Sequence, residues 1–254
     1  MQPTAPARNA ADHETLLEFI EQSYDSYDAE AHDVWRLLYE RRMAALAHTA
    51  SDVFLRGIAR IGLAPDRVPE LADVNRRLAP RTGWSAVGVR GFIPAPQFFR
   101  ALSQRRFPTT LKVRPRAQLD YLPEPDIFHD VFGHVPLHSD PVFAAFLQKF
   151  GAIASRARSE AETTAMARLF WFTVEFGLIR ERGDVRIYGS GLISSHEDAA
   201  NALGPRCDRW PFDLDAVLAQ PFEIDHVQTV LFVLESFDQL FEAVEALARR
   251  QNTT

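Results

Sequence analysis

The sequence contains a single cysteine, Cys207, in 254 residues, which excludes an internal disulfide framework. A chain without disulfides fits a reducing compartment, and a lone cysteine is more often a packing residue than a nucleophile. No run of about 18 apolar residues occurs, so we expect no membrane-spanning helix. The N-terminal residues also lack the apolar segment of a secretory signal peptide. Together these absences predict a cytoplasmic protein that does not enter a membrane.

The chain has no excess of positive charge either. Its 28 basic side chains are outnumbered by 34 acidic ones, which gives a formal net charge of −6. We therefore expect no partner that requires a basic surface, neither nucleic acid nor an anionic membrane. Residues 1–20 form a polar leader in the sequence. Residues 21–254 are predicted to form a single domain, which is long enough to enclose a deep pocket.

Apolar residues recur at helical spacing in several segments of the chain. Residues 81–99 contain three glycines and two prolines and predict a loop, while 185–188 predict a short strand before a turn at 189–191. The pattern is therefore typical of a mainly α protein with a few short strands, in the α+β class. The predicted helices are, in chain order, 14–61, 126–132, 140–157, 161–180 and an amphipathic segment covering 227–247.

Two histidines lie close together in PEPDIFHDVFGHVP, residues 123–136. On an ideal α-helix, five residues advance about 140° beyond a full turn, so His129 and His134 would not share a face. Gly133 is expected to end the helix and to turn His134 back toward His129. The spacing also differs from the i, i+4 pair of HExxH zinc proteases. By itself a histidine pair at this spacing is weak evidence for a metal.

A carboxylate lies in the apolar segment LFWFTVEFGLI, residues 169–179. Aromatic and aliphatic residues occupy the positions around Glu175 at helical spacing, so its side chain is predicted to be buried. A buried, unpaired carboxylate costs several kcal/mol, so a positive group must compensate for it. A buried arginine or lysine and a metal cation both remain possible partners.

Two histidines and one buried carboxylate form a ligand set with two main interpretations. The set suits a non-haem iron(II) oxygenase with open coordination positions, and it equally suits a catalytic zinc hydrolase. Aromatic surroundings favour the dry cavity that an oxygenase needs, although they are also typical of an ordinary core. A non-catalytic protein with a closed structural metal site is disfavoured, because such sites are often rich in cysteine. The aromatic residues concerned are Tyr121, Phe128, Phe132, Phe170, Trp171, Phe172 and Phe176.

At these residues the sequence resembles a known family, the pterin-dependent aromatic amino acid hydroxylases, and most closely the bacterial phenylalanine 4-hydroxylases. The resemblance extends over roughly residues 30 to 245, and PEPDxxHxxxGHVP together with FTVEFGL is highly specific. It implies a helix-rich catalytic domain with a central iron pocket. The matching blocks are RGFIPAPQFF (90–99), YLPEPDIFHDVFGHVPLHSDPVFAAF (121–146), FWFTVEFGL (170–178), YGSGLISS (188–195) and, more weakly, PFEIDHVQTVLFVLESF (221–237).

The resemblance also implies a role for individual residues. The implied iron ligands and catalytic residues are His129, His134 and Glu175. The implied contacts to the tetrahydropterin are Gly91, Ile93, Phe98, whose ring would stack on the pterin, and Asp130, which replaces the glutamate usual in animal members. The implied contacts to the amino acid substrate are Arg114, which would hold the carboxylate, Pro125, Trp171, Phe176 and Ser194.

The activity implied by the resemblance is conversion of L-phenylalanine to L-tyrosine with dioxygen. Its cofactors would be iron(II) and tetrahydrobiopterin or a related reduced pterin. Trp171 matches the phenylalanine and tyrosine enzymes, and Ile224 is apolar where tyrosine hydroxylases carry an aspartate, which favours an unsubstituted phenyl ring. The alternatives are hydroxylation of tryptophan or tyrosine and, less favoured, a zinc-dependent hydrolase. The regulatory domain and coiled-coil tail of animal members are not matched, so we expect a monomer.

Overall fold

The structure of the chain is a computed structural model that describes residues 17–120, 124–224 and 226–253. It confirms the predicted fold class, a mainly helical protein with a few short strands. The α-helices are α1 (Ala29–Thr49), α2 (Asp52–Ile61), α3 (Leu71–Thr82), α4 (Ala95–Ser103), α5 (Pro141–Ala154), α6 (Glu160–Phe170), α7 (Ser190–Ser194), α8 (His196–Leu203), α9 (Leu214–Ala219) and α10 (Asp238–Thr253). Two π-helices are present among the described residues, one at Phe128–His134 and one directly after α6 at Trp171–Glu175. Short 3-10 helices lie at Tyr24–Ser26, Arg116–Gln118 and Val135–Ser139.

The strands of the described residues form two small sheets. The first sheet pairs β1 (Ser85–Val89) with β2 (Arg106–Thr110) in parallel. The second has the order β4-β3-β6-β5 and contains β3 (Leu178–Glu181), β4 (Asp184–Ile187), β5 (Asp208–Pro211) and β6 (Val230–Leu234). In it β3 runs antiparallel to β4 and parallel to β6. Since β3 follows the second π-helix and β4 leads into α7, this sheet fixes the relative position of those two segments.

A continuous apolar core runs through the described residues and anchors the back of the first π-helix. Phe128 and Phe132 stack on each other, with ring centroids 4.6 Å apart. Trp35 of α1 packs edge-on against Phe128 at 5.4 Å, and Phe54 of α2 packs against Phe132 at 5.7 Å. Aromatic pairs of this kind add about 0.5–1.5 kcal/mol to the area that they bury. The opposite side of the π-helix, which carries the histidines, is thereby held toward the interior cavity.

The predicted helix over 140–157 is confirmed as α5, and its start follows from the local sequence. The side chain of Asp140 accepts hydrogen bonds from the backbone N–H groups of Val142 and Phe143, and Pro141 occupies the first turn. The predicted strand at 185–188 is likewise confirmed as β4. The two elements α5 and β4, which local sequence signals specify, were therefore predicted correctly.

The predicted helix over 14–61 is wrong in two respects. Of the described residues, 17–28 contain no α-helix, and α1 begins only after Asp28, whose side chain accepts from the Ala31 N–H. The remaining stretch is broken at Ser51, which caps α2 by accepting from the Phe54 N–H. The predicted loop over 81–99 is also wrong, because it contains β1 and the start of α4.

Three further element predictions are wrong. The segment 161–180 leaves α-helical geometry at Trp171 and enters β3 at Leu178. Residues 189–191 belong in part to α7 rather than to a turn. The segment 227–247 contains β6, because the continuous apolar run VLFVL fits a buried strand as well as a helix.

The leader assigned to residues 1–20 falls largely outside the described residues, as do residues 121–123 with Tyr121. The division into a leader and one domain therefore stays a prediction. In the part of the chain that the structure describes, no helix combines the length and apolar character needed to cross a membrane.

Candidate metal centre and the cavity around it

The first π-helix brings the two histidines onto one face. A π-helix is closed by i→i+5 hydrogen bonds, so residues five apart lie one turn apart. His129 and His134 accordingly approach to 3.3 Å between their Nε2 atoms. The expected reason for this proximity is wrong, since Gly133 does not end the helix and the π-helical turn continues through it to His134.

The second π-helix delivers the carboxylate to the same place. Its closing i→i+5 bond runs from the Phe176 N–H to the Trp171 carbonyl at 2.8 Å, and Glu175 is its last residue. The Oε1 atom of Glu175 lies 3.2 Å from His134 Nε2, and Oε2 lies 3.6 Å from His129 Nε2. Glu175 pairs with these histidines, and within the described residues no arginine or lysine forms an ion pair with it.

The electrostatics of Glu175 favour a negatively charged side chain. Burial alone would raise the pKa of this carboxyl group. The adjacent His134, then His129 and the hydroxyl of Ser190, outweigh that effect and lower the pKa of Glu175 to about 2. An ionised carboxylate is therefore maintained beside two imidazoles.

Hydrogen bonds orient each of these side chains. Ser194 Oγ lies 2.8 Å from His129 Nδ1, which leaves Nε2 facing His134 and Glu175. Ser190 Oγ donates to Glu175 Oε2 at 2.6 Å. The Oδ1 atom of Asp126 accepts from the backbone N–H of His129 at 3.0 Å.

Two of these supporting residues were not assigned from the sequence. Asp126 has no assigned role at the site in the sequence pattern, because its ion-pair partner Arg114 lies 12 residues before it and leaves no local signal. Ser190 lies in the block YGSGLISS, but a serine between two glycines carries no chemical signature of its own.

A cavity of about 360 Å³ opens beside the three side chains. This volume lies within the range of small-molecule and cofactor sites, roughly 300–1,000 Å³. Its walls are largely apolar, and Phe98 contributes a ring that packs edge-on against Phe170 at 5.4 Å. The structure brings to this cavity all three predicted ligands and six other predicted site residues, namely Gly91, Ile93, Phe98, Pro125, Asp130 and Trp171.

Asp130 lines the cavity with its carboxyl group partly engaged. Its Oδ2 atom accepts from the backbone N–H of Thr110 at 2.6 Å. Burial raises the pKa of Asp130, and the nearby His129 and the bond from Thr110 oppose that rise. The group is thus the polar feature of a wall that is otherwise mostly apolar.

Three predicted substrate residues do not line this cavity. Phe176 stacks behind Trp171, with ring centroids 4.6 Å apart, and so supports the wall rather than forming it. Ser194 contacts His129 from the far side. Arg114 lies beside the first π-helix, where its guanidinium faces the ring of Phe128 at 5.9 Å.

Arg114 is held by a buried ion pair. Its Nε and Nη2 atoms donate to the two carboxylate oxygens of Asp126, each at 2.9 Å, and Nη1 donates to the Leu119 carbonyl at 3.2 Å. The side chains of Arg114 and Asp126 are 8% and 0% exposed. Pairing of this planar kind fixes the guanidinium orientation.

The donor set fits a divalent transition metal. The nitrogen and oxygen atoms that His129, His134 and Glu175 can offer all lie within 4.8 Å of one another. Two imidazoles and one carboxylate on one side of a cavity are the ligand type of non-haem iron sites, and the apolar cavity adjoins the remaining side. The same three donors also suit zinc, so the donor set alone does not identify the metal.

Comparison with known proteins resolves the family. The family model described as biopterin-dependent aromatic amino acid hydroxylase matches residues 20–253. The phenylalanine-4-hydroxylase of Chromobacterium violaceum is 43% identical over 225 residues, covering 88% of this chain and 76% of that protein. A crystal structure of C. violaceum phenylalanine hydroxylase with bound iron(III) and oxidised 7,8-dihydrobiopterin is 42% identical, with a TM-score of 0.87 over 93% of this chain and 87% of that chain. A second one, with iron and phenylalanine bound, is 41% identical, with a TM-score of 0.84 over 89% of this chain and 82% of that chain.

The family match covers both π-helices and the cavity between them. The resemblance read from the sequence is confirmed, since the family match extends over nearly the whole chain and the fold agrees at high identity. The chain belongs to the family of biopterin-dependent aromatic amino acid hydroxylases.

Proposed function

We propose that this chain is a phenylalanine 4-monooxygenase, which converts L-phenylalanine to L-tyrosine with dioxygen, iron(II) and a tetrahydropterin. The observation that carries the proposal is the cluster of His129, His134 and Glu175 at the wall of a largely apolar cavity of about 360 Å³. The proposal is supported by the similar C. violaceum protein, which is named a phenylalanine-4-hydroxylase and whose structures hold iron(III) with oxidised 7,8-dihydrobiopterin, and iron with phenylalanine.

In this proposal His129, His134 and Glu175 hold the iron. Ser194 keeps the His129 ring turned so that Nε2 faces the metal, through its 2.8 Å contact with Nδ1. The carboxylate of Glu175 is ionised, which offsets part of the positive charge of the cation. The chemistry that bound iron(II) and tetrahydropterin supply is reductive activation of dioxygen, so that one oxygen atom enters the substrate ring.

The pterin is proposed to lie against Phe98 at the cavity wall. The Phe98 ring is fixed by edge-on contacts with Phe107 at 6.0 Å and Phe170 at 5.4 Å. A ring held in this way offers a flat face for an aromatic heterocycle at low entropic cost. Gly91 and Ile93 would supply backbone groups to the pterin edge, and Asp130 lies on the same cavity.

The amino acid substrate is proposed to place its ring near Pro125 and Trp171 and its carboxylate toward Arg114. Asp126 holds the Arg114 guanidinium in one orientation, and three of its five N–H groups are used by described residues. Phe176 stacks behind Trp171 and keeps that wall rigid. The protein's task is thus to orient the ring and to exclude water from the reacting atoms.

The proposed preference for phenylalanine over tyrosine rests on the apolar cavity wall that would face the substrate ring. Ile224 lines the cavity and offers no partner to a phenol hydroxyl. Ile224 is 77% exposed, so a phenol hydroxyl beside it would meet water and gain no hydrogen bond from this side chain, and tyrosine would have no binding advantage there. Hydroxylation of tyrosine or tryptophan is the second candidate, and a zinc hydrolase is disfavoured by the family match.

The test is product analysis with iron(II), a tetrahydropterin and dioxygen, offering each aromatic amino acid in turn. We expect tyrosine from phenylalanine at the highest kcat/KM. Preferential turnover of tryptophan or tyrosine would assign the chain to another specificity of the family. Hydrolytic activity with zinc and no oxygen uptake would contradict the proposal altogether.

The same proposal includes a monomeric, cytoplasmic enzyme. A single chain supplies all of the proposed site residues, so no second copy is needed to complete the site. Cys207 is a free, buried thiol, which is compatible with a reducing compartment. Light scattering on the eluted protein and fractionation of the source cells test these two points.

A further inference from the structure

The short helix α7 lies wedged between the two π-helices that carry the candidate ligands. Gly189, which precedes it, has no room for a side chain, because a Cβ there would lie 2.4 Å from the Glu175 carbonyl oxygen. A Cβ on Gly133 would lie 3.1 Å from the Ser190 carbonyl oxygen. Both glycines thus permit a close approach of α7, which fixes the position of Ser190 relative to the ligands on either side.

From this fixed position the Ser190 hydroxyl reaches the carboxylate of Glu175. Its Oγ lies 2.6 Å from Glu175 Oε2 and 3.3 Å from the Val174 carbonyl oxygen. A serine hydroxyl has one proton to donate, and the shorter contact to a charged acceptor is the stronger bond. Ser190 is 0% exposed, so its hydroxyl is shielded from bulk water on its side of the carboxylate.

The remaining end of α7 is anchored independently. Arg42 of α1, which is 4% exposed, donates from Nε to the Ile193 carbonyl at 2.7 Å and from Nη2 to the Leu192 carbonyl at 3.0 Å. A cation at the C-terminal carbonyls of a helix is favourable. Since both ends of α7 are held, the hydroxyl of Ser190 cannot follow the carboxylate if the latter rotates.

We propose that Ser190 is a positioning residue that fixes the rotation of the Glu175 carboxylate, and so determines which oxygen atom Glu175 presents to the metal. Oε2 accepts from Ser190 and lies 3.6 Å from His129 Nε2, while Oε1 has no bond from Ser190 and lies 3.2 Å from His134 Nε2. Without the hydroxyl the carboxylate is free to rotate and to present both oxygens. This inference rests on the proposed function, because it takes Glu175 as a metal ligand.

The experiment is a titration of the metal-free protein with cobalt(II), followed by visible absorption of the bound ion. For Ser190→Ala we expect a Kd about 10- to 100-fold higher than wild type, the usual effect of losing a hydrogen bond to a metal ligand. We also expect a changed d–d spectrum, because the ligand geometry around cobalt changes. The matched control is Ser139→Ala, which removes another buried serine hydroxyl, bonded to the Pro136 carbonyl at 2.7 Å. The control should leave both affinity and spectrum unchanged.

Wild-type affinity and an unaltered spectrum in Ser190→Ala would overturn the inference, even if its melting temperature fell. If the alanine variant does not fold, Ser190→Gly replaces it, because it also removes the hydroxyl. The same loss of affinity and change of spectrum are expected of it, and wild-type affinity with an unaltered spectrum would again overturn the inference. Failure of the proposed function gives a different result: wild type itself would bind no cobalt, or His129→Ala would bind it equally well.

Discussion

The buried pair of Asp126 and Arg114 should contribute more to stability than any exposed ion pair of this protein. Asp126 accepts from Arg114 Nε and Nη2, each at 2.9 Å, and from the backbone N–H groups of His129 and Arg114 at 3.0 and 3.1 Å. Asp126→Ala leaves a guanidinium that is 8% exposed without its carboxylate. Removing one member of a buried pair costs about 3–5 kcal/mol, so we expect a loss of about 4 kcal/mol in the free energy of unfolding.

The assay is urea and thermal unfolding of the metal-free protein. For a domain of this size, 1 kcal/mol corresponds to roughly 2–4 °C, so Asp126→Ala should lower the Tm by about 8–16 °C. The control is Glu124→Ala, two residues before Asp126. It removes the exposed ion-pair partner of Lys112 and should leave the Tm nearly unchanged.

A double variant separates the pair from the other bonds of Asp126. Asp126→Ala combined with Arg114→Leu should be more stable than the sum of the two single losses predicts, because no unpaired charge remains buried. It should still be less stable than wild type, because the two backbone N–H groups have lost their acceptor. A loss below about 1 kcal/mol in Asp126→Ala, or strict additivity in the double variant, would refute this account of the pair.

The remaining predictions concern the proposed ligands and binding residues. His129→Ala and Glu175→Ala should each abolish iron-dependent tyrosine formation, and normal turnover in either would remove that residue from the ligand set. Phe98→Ala should weaken tetrahydropterin binding by about 1 kcal/mol, roughly fivefold in Kd by fluorescence titration, and an unchanged Kd would exclude stacking on Phe98. Arg114→Lys should raise the KM for phenylalanine by about tenfold or more, because lysine lacks the planar pair of donors. An equal effect on the KM of the pterin would indicate a general disturbance of the cavity and not the loss of a substrate contact.

The sequence predicted the fold class and the family, but not the geometry that joins the ligands. On an α-helix the spacing of His129 and His134 predicts that the two side chains diverge, so the sequence requires Gly133 to turn the chain. The structure instead has a π-helix over Phe128–His134, whose i→i+5 bonding aligns residues five apart. No local residue preference distinguishes a π-helical turn from an α-helical one, so this feature could not be read from the pattern.

Residues that act through distant contacts were also beyond sequence reasoning. Arg42 reaches carbonyl groups about 150 residues further along the chain, at Leu192 and Ile193. Likewise β6 had the apolar run of a buried helix, and only pairing with β3 and β5 makes it a strand. By contrast α5, which depends on the cap at Asp140, was predicted to within a few residues.

The central claim is that the cavity beside His129, His134 and Glu175 is where dioxygen and phenylalanine react. The most direct test is incubation of the purified protein with iron(II), a tetrahydropterin, phenylalanine and ¹⁸O₂, followed by mass spectrometry of the amino acid product. The account predicts tyrosine that carries one ¹⁸O atom, formed only when both iron and pterin are present. No tyrosine under these conditions, or tyrosine whose oxygen comes from water, would contradict it.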